Sequence, residues 1–388
     1  MNFDLTEERQ MLQNTLRRFL GDRYGTAARN DILESDTGLS AKIWGDLADL
    51  GIIGALFTED QGGFGGAGFD IAVVFEELGR AGVVEPFLDT AILGGGLIAA
   101  LGDDSQQALV EEVIAGGLHL AFAHGEPISR YDLSRVDTTV VQNGQTGGAG
   151  DVQNGQNIVL NGRKAVVVNA EAAKYLIVSG RESGSADDPN GISLFLVPVD
   201  TPGLTMHGYP LLAGGRAAEV TLDNVSLPLS ARLGAAGAAL PAIETVVAAA
   251  NVALAAEAMG AMETATALTR EYLMTRKQFG RPIGTFQALA HRMSDMLIEL
   301  EQARSAVINA AGHLEKSLNI RGLQIAAARN LMGRVGRLVA EEAIQMHGGI
   351  AMTQEYELAH IAKRIVMTDH RFGDTDYHLE QFIALSAA

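Results

Sequence analysis

The sequence predicts an α+β protein that is mostly α. Its expected parts are a helical N-terminal domain (1–117), a middle β domain of barrel or sandwich type (118–232) and a C-terminal four-helix bundle (233–388). Three observations predict this. Apolar residues recur at helical spacing through the first part. Short Val-, Ile- and Leu-rich runs, punctuated by turn residues, fill the second. Three long helical patterns joined by short loops fill the third, as in an antiparallel bundle. Alternating βα units are missing, which argues against a Rossmann domain or a TIM barrel. The 388 residues suit two or three domains of about 150 residues each.

In chain order, Leu5, Met11, Leu12, Leu16, Phe19 and Leu20 mark a first helix. Ile43, Trp44, Leu47 and Leu50 mark a second, with Gly51 as its stop. The Gly-rich connector 61–69 leads into helical patterns at 70–81, 89–101 and 105–115. Strands are expected at LHLAFAH, TTVVQ, NIVL, KAVVV, YLIV, ISLFLVPV and AAEVTL, with Asn-Gly pairs at 143–144, 154–155 and 161–162 as turn signals. The Gly/Gln/Asn-rich stretch 142–157 reads as a mobile loop or an extended hairpin. Helices are expected at 240–276, 285–314, 319–347 and 355–367, then a short tail helix.

Composition excludes some chemistry. With no Cys, thiolate catalysis, Cys-bound zinc, iron–sulfur clusters and disulfides are out. The nine His are scattered without metal-ligand spacing, so no metal is expected. A net charge of −18 argues against nucleic acid or an anionic membrane as partner, although a local Arg cluster can still hold a small anion. The N-terminus, MNFDLTEERQ, lacks the pattern of a secretory signal. The run 246–256 is Ala-rich, interrupted by Asn251 and flanked by Glu244 and Glu257, so it reads as a buried helix rather than a bilayer span. The expected location is the cytoplasm.

Three segments concentrate possible chemistry. RKQFGRPIGTFQ (276–287) lies between two long helices. It reads either as a basic helix end with a turn or as an anion-binding corner, with Arg for a diphosphate and an aromatic ring for a base. His347-Gly348-Gly349 reads as a helix C-cap or as bare backbone that a pyrophosphate could approach. The run 369–378 is dense in ionisable side chains and reads as a solvated terminal loop or an active-site loop. The 62–68 glycines lack the Lys-Ser/Thr of a phosphate loop.

Together these segments resemble the acyl-CoA dehydrogenase family over essentially the whole chain. RKQFGRPIGTFQ looks like its Arg-x-x-Phe-Gly FAD motif, and AIQMHGGIAMTQEY like its Gln-x-x-Gly-Gly motif. QGGFGGAGFD with FEELGR resembles its N-terminal signature, and LNGRKAVVVN its middle-domain strand. The resemblance implies FAD held between the β domain, the bundle and a neighbouring subunit, in a dimer or tetramer. Arg276, Phe279, Gln287, Gln345, Gly348, Gly349 and Thr375 would be cofactor-binding, the 345–349 corner reaching a partner's FAD. It implies α,β-desaturation of an acyl-CoA: a Glu takes the α-proton, the β-hydrogen passes to flavin, and an electron-transfer flavoprotein reoxidises it.

The chain also departs from that pattern. The two usual positions of the catalytic Glu hold Gly373 and Ala250, and the Arg beside the second is Asn251. Asp374 is the expected displaced base. Glu244, six residues before Ala250, faces elsewhere on its helix. The Trp-Ile-Thr positions are Val166-Val167-Val168, and Thr-Glu-Pro is Gly125-Glu126-Pro127. This looks like the small subunits of bacterial two-subunit enzymes, such as those resembling pimeloyl-CoA dehydrogenase and relatives acting on fatty or steroid side-chain CoA esters. The chain could therefore be an active dehydrogenase, a half-site subunit of a heterotetramer with a homologous chain, or a flavin monooxygenase on the same fold.

Overall fold

The computed structural model describes residues 5–143 and 157–387. The Gly/Gln/Asn stretch therefore lies largely outside the described residues. Helix α1 (Glu7–Arg23) starts where Thr6 accepts a bond from the Arg9 amide, and α2 (Thr26–Glu34) and α3 (Ala41–Asp49) follow. The Gly connector packs tightly, then α4 (Gly68–Ala81) begins. The expected helix at 89–101 is a π-helical stretch, Leu88–Gly95, running into α5 (Gly96–Leu101). Asp103 and Gln106 form a capping box for α6 (Asp104–Ile114).

The middle strands are β1 (Leu120–Ala123), β2 (Thr139–Asn143), β3 (Asn157–Val168), β4 (Tyr175–Arg181), β5 (Ile192–Pro198), β6 (Leu204–Pro210), β7 (Arg216–Pro228) and β8 (Arg232–Leu233). They form one eight-stranded sheet in the order β6-β7-β3-β2-β4-β5-β8, with β1 parallel to β4. One turn expectation is corrected. Asn161-Gly162 lies inside β3, where the register with β7 shifts between Leu160 and Gly162. A Cβ on Gly162 would strike Thr138, so this glycine serves a close backbone approach rather than a hairpin turn.

The rest is helical: α7 (Leu240–Thr275), a two-residue hairpin of β9 (Lys277–Gln278) with β10 (Arg281–Pro282), α8 (Gln287–Ala311), α9 (Leu318–His347), α10 (Glu357–Thr368) and α11 (Thr375–Ser386). Helix α7 is long and apolar enough to cross a membrane, but 83% of its most apolar window is buried inside the fold.

The two helical regions, far apart in sequence, share one hydrophobic core, running from Leu16 and Trp44 to Met259, Val335 and Ile365. The sheet keeps its own, around Ile158, Leu176, Phe195 and Val220. Helices α4 and α7 cross almost backbone to backbone. A Cβ on Gly79 would overlap the Glu257 carbonyl, and one on Gly260 the Glu76 carbonyl. Ion pairs lace the crossing: Arg17 with Glu77 at 2.5 Å, Arg80 with Glu76 at 3.0 Å, and Arg80 and Arg304 both with Glu263.

Under the sheet lies a fully buried polar cluster. Lys164 Nζ donates to Glu126 at 2.6 Å and to Ser179 Oγ at 2.9 Å. Glu126 also accepts from the Asp137 amide and from the amide and hydroxyl of Thr138. Burial pushes the Lys164 ammonium down to about 8, and the Glu126 carboxyl is held below its usual range by Lys164 and the hydrogen bonds, against desolvation. Removing one partner strands the other. Lys164→Met should cost about 3–5 kcal/mol in chemical denaturation, and adding Glu126→Gln should recover much of it. Equal losses in the single and double variants would show that the pair is not the source.

Candidate active site

A cavity of about 580 Å³ opens where the N-terminal helices, the sheet and the bundle meet. Phe75 and Leu78 of α4, Leu254 and Glu257 of α7, the 83–89 segment, Gly125–Pro127, Val166 and the 370–372 loop line it. Val166 has φ +52°, rare for a β-branched residue, in a bulge of β3, and its side chain is 55% exposed.

The buried carboxylates of this cavity are already engaged. Asp89 takes a two-pronged bond from Arg371 (2.6 and 3.2 Å), and Glu257 one from Arg364 at 2.6 Å. Glu126 is bound by Lys164. Glu85 accepts from the Tyr24 hydroxyl at 2.6 Å, and burial raises its carboxyl. The sequence alone pointed to none of the Asp89, Glu85 and Glu257 pairings, because each partner is remote along the chain.

A second cavity of about 210 Å³ adjoins the first across Tyr131, Leu133 and Phe372. Glu244, Ala248 and Asn251 of α7, Arg321 and Ile325 of α9, and Tyr377 and His378 of α11 line it. Glu244 is seven residues from Asn251, so the two share a helix face, while Ala250 is fully buried.

Arg329, buried under the last loop, sends one terminal nitrogen to the carbonyls of Thr368, Arg371 and Gly373. That fixes the loop carrying the expected base. Gly373 has φ +121°; a Cβ there would lie 2.5 Å from His378 Nε2 and closer still to the Tyr377 ring. The seat of the missing carboxylate is therefore filled. Asp374 is the N-cap of α11, accepting from the Tyr377 amide at 2.9 Å, and its other oxygen stands 4.0 Å from Arg130. It lines neither cavity, but its charge raises the phenol of Tyr131, which lines both, after the larger effect of burial. Thr375 donates to Asp369 at 2.9 Å.

The remaining expected residues gather at one end of the bundle. Tyr272, one turn before Arg276, stacks on His347 with ring centres 4.6 Å apart. This brings Arg276, Phe279 and Gln287 to the same end as Gln345, Gly348 and Gly349, all exposed. Phe279 is 91% exposed at φ +54°, and Arg281 lies over the Phe286 ring at 4.2 Å. Arg276, Lys277 and Arg281 form no ion pair among the described residues, and Cβ atoms on Gly348 and Gly349 would meet nothing within 4 Å. Unpaired cations, a free aromatic face and bare backbone suit a dinucleotide's diphosphate and base. The large cavity offers room for its ring system. These residues fit FAD.

Fold and site together define a three-part flavin oxidoreductase with a cavity where its parts meet. The acyl-CoA dehydrogenase N-terminal, middle and C-terminal domain families match residues 6–117, 121–225 and 240–384. The chain belongs to the acyl-CoA dehydrogenase family, and FAD is its cofactor. It is 32% identical to acyl-CoA dehydrogenase IpdE2 of Mycobacterium tuberculosis over 359 residues, covering 92% of this chain and 91% of that one. Among solved structures it resembles butyryl-CoA dehydrogenase from Megasphaera elsdenii (25% identity, TM-score 0.88, all of both chains). It also resembles a Tcur3481-Tcur3483 steroid acyl-CoA dehydrogenase variant (28%, TM-score 0.84, 98% of both chains).

Two expected outcomes follow from the geometry. Gly373→Glu should cost more than about 2 kcal/mol in denaturant titration and not raise activity above wild type, because backbone conformation and packing both oppose a side chain there. His124 and His378 are both buried and held neutral, each pushed down to about 3, mainly by desolvation. The unfolded chain binds those protons near 6.5, so stability is full above pH 6.5 and declines as pH falls toward 3. Melting temperatures across pH 3–8 should show that decline, and His124→Gln or His378→Gln should make it shallower; an unchanged slope in both would rule these groups out.

Proposed function

We propose that the chain dehydrogenates an acyl-CoA thioester across its α,β bond, handing electrons on to an electron-transfer flavoprotein. The observation that carries this is the pair of adjoining cavities. One, walled by apolar side chains and by paired charges, is large enough for a flavin face and an acyl chain, and the other leads from the last loop between α7, α9 and α11. When bound, FAD accepts the two electrons removed from the acyl group. Arg276, Phe279 and Gln287, with Gln345, Gly348 and Gly349 of the same or a neighbouring subunit, hold its ADP half. Val166 and Gly125–Pro127 wall the space for its ring. Phe75, Leu78 and Leu254 exclude water from the acyl chain. Asp374, whose charge reaches Tyr131 on the wall shared by both cavities, is the carboxylate proposed to take the α-proton.

A second reading is that the chain serves as a half-site subunit beside a homologue carrying the catalytic Glu. The filled seat at Gly373 favours it, and the relative Tcur3481-Tcur3483 is a two-component assembly by name.

One experiment separates the two. FAD-loaded protein is mixed anaerobically with CoA thioesters of graded chain length, and flavin absorbance is followed. The chain alone should bleach, and Asp374→Asn, which still caps α11 about as well, should slow bleaching at least about tenfold. Bleaching only after co-expression with a Glu-bearing homologue would establish the half-site role instead.

A further inference from the structure

One ion pair of the large cavity keeps hydrogen-bonding capacity in reserve. Arg371, in the last loop, gives one terminal nitrogen to each oxygen of Asp89, at 3.2 and 2.6 Å. Both residues line the cavity. The Asp89 side chain is 6% exposed and that of Arg371 29%. Each terminal nitrogen of Arg371 carries a second N–H, and neither has another partner among the described residues. Each Asp89 oxygen likewise keeps a free lone pair.

The setting of the pair points the same way. Asp89 is the second residue of the π-helical stretch Leu88–Gly95. Such winding is rare and gathers at functional sites. Asp89 and Arg371 belong to the helical regions, as Phe75, Leu78 and Leu254 do, whereas Val166 and Gly125–Pro127 come from the β domain. On the reading of this cavity as the acyl-CoA site, the pair borders the acyl chain rather than the flavin ring.

We propose that the Asp89–Arg371 pair selects acyl groups that carry a neutral oxygen, a hydroxyl or a ketone, remote from the thioester. This rests on that reading of the cavity. A plain alkyl chain lying on the pair would strip water from its open side and return no hydrogen bond. A ketone accepts from Arg371. A hydroxyl accepts from Arg371 and donates to Asp89. A carboxylate fits less well. Arg364 and Arg371 are each matched by a carboxylate already, Glu257 and Asp89, so neither cation is left over for an anionic group. The alternative is that the pair only ties the last loop to the first region of the chain.

The test is a matched panel. FAD-loaded protein is titrated by calorimetry with hexanoyl-CoA and octanoyl-CoA, with their penultimate ketones and terminal alcohols, and with adipyl-CoA and suberyl-CoA. At one length or the other, wild type should bind the ketone or the alcohol at least about tenfold tighter than the alkyl thioester. Asp89→Leu with Arg371→Met removes both charges together, so neither is stranded. This double variant should bring that ratio to within about twofold of one. A wild-type ratio under about threefold at both lengths would overturn the proposal, as would tightest binding by a dicarboxylic thioester. So would a double variant that melts earlier but keeps the wild-type ratio, the result expected of a mere tie. The wild-type comparison stands even if the double variant folds poorly. If no thioester of any class binds, the acyl-CoA reading fails, and this proposal with it.

Discussion

The molecule depends on one crossing. Helices α4 and α7 meet so closely at Gly79 and Gly260 that each glycine lies against the other helix's carbonyl. No side chain larger than hydrogen fits there without moving a backbone. That approach fuses the first and last regions of the chain into one core. It also sets the cavity, because Phe75 and Leu78 on one helix and Leu254 and Glu257 on the other are its facing walls. The ion pairs around Glu76, Glu77, Arg80 and Glu263 neutralise carboxylates that the crossing buries.

Charge inside the site is arranged to be quiet. Asp89, Glu126 and Glu257 each meet a cation, and Glu85 meets a phenol hydroxyl. A carboxylate so engaged is a poor proton acceptor, because taking a proton dissolves the pair. Buried nitrogen and oxygen atoms without a partner remain at His124 in this cavity and at Asn251 and His378 beside the adjoining one. The last loop, held by Arg329 through three carbonyls, decides which groups reach that space. Position 373, one expected seat of the family Glu, is thus closed by the packing of Tyr377 and His378 as well as lacking a side chain.

Much of this was legible in the residues. Helical spacing in 1–117, short β runs after it and long helices after 233 marked the fold, since amphipathic periodicity is a local property. The proposed ADP corner was legible because RKQFGRPIGTFQ and QMHGG are each a continuous run of the chain. Asn161-Gly162 misled, because Asn-Gly signals a hairpin only if the chain turns there, and β7 pairing carries β3 on through this pair with a shift of register. The π-helical winding of Leu88–Gly95 left no trace in the pattern.

By itself, then, the sequence determined the order of elements and the family, and it pointed to the proposed cofactor corner and to two expected Glu positions that hold other residues. These are read from neighbours along the chain. Only the tertiary structure decided that the two helical regions share a core and that Arg364 and Arg371 engage the cavity carboxylates. It likewise decided that His378 and Tyr377 occupy the seat beside Gly373. Those facts depend on contacts between residues as much as 282 positions apart, as with Arg371 and Asp89. Distance along the chain carries no information about such pairs; burial and close packing create them.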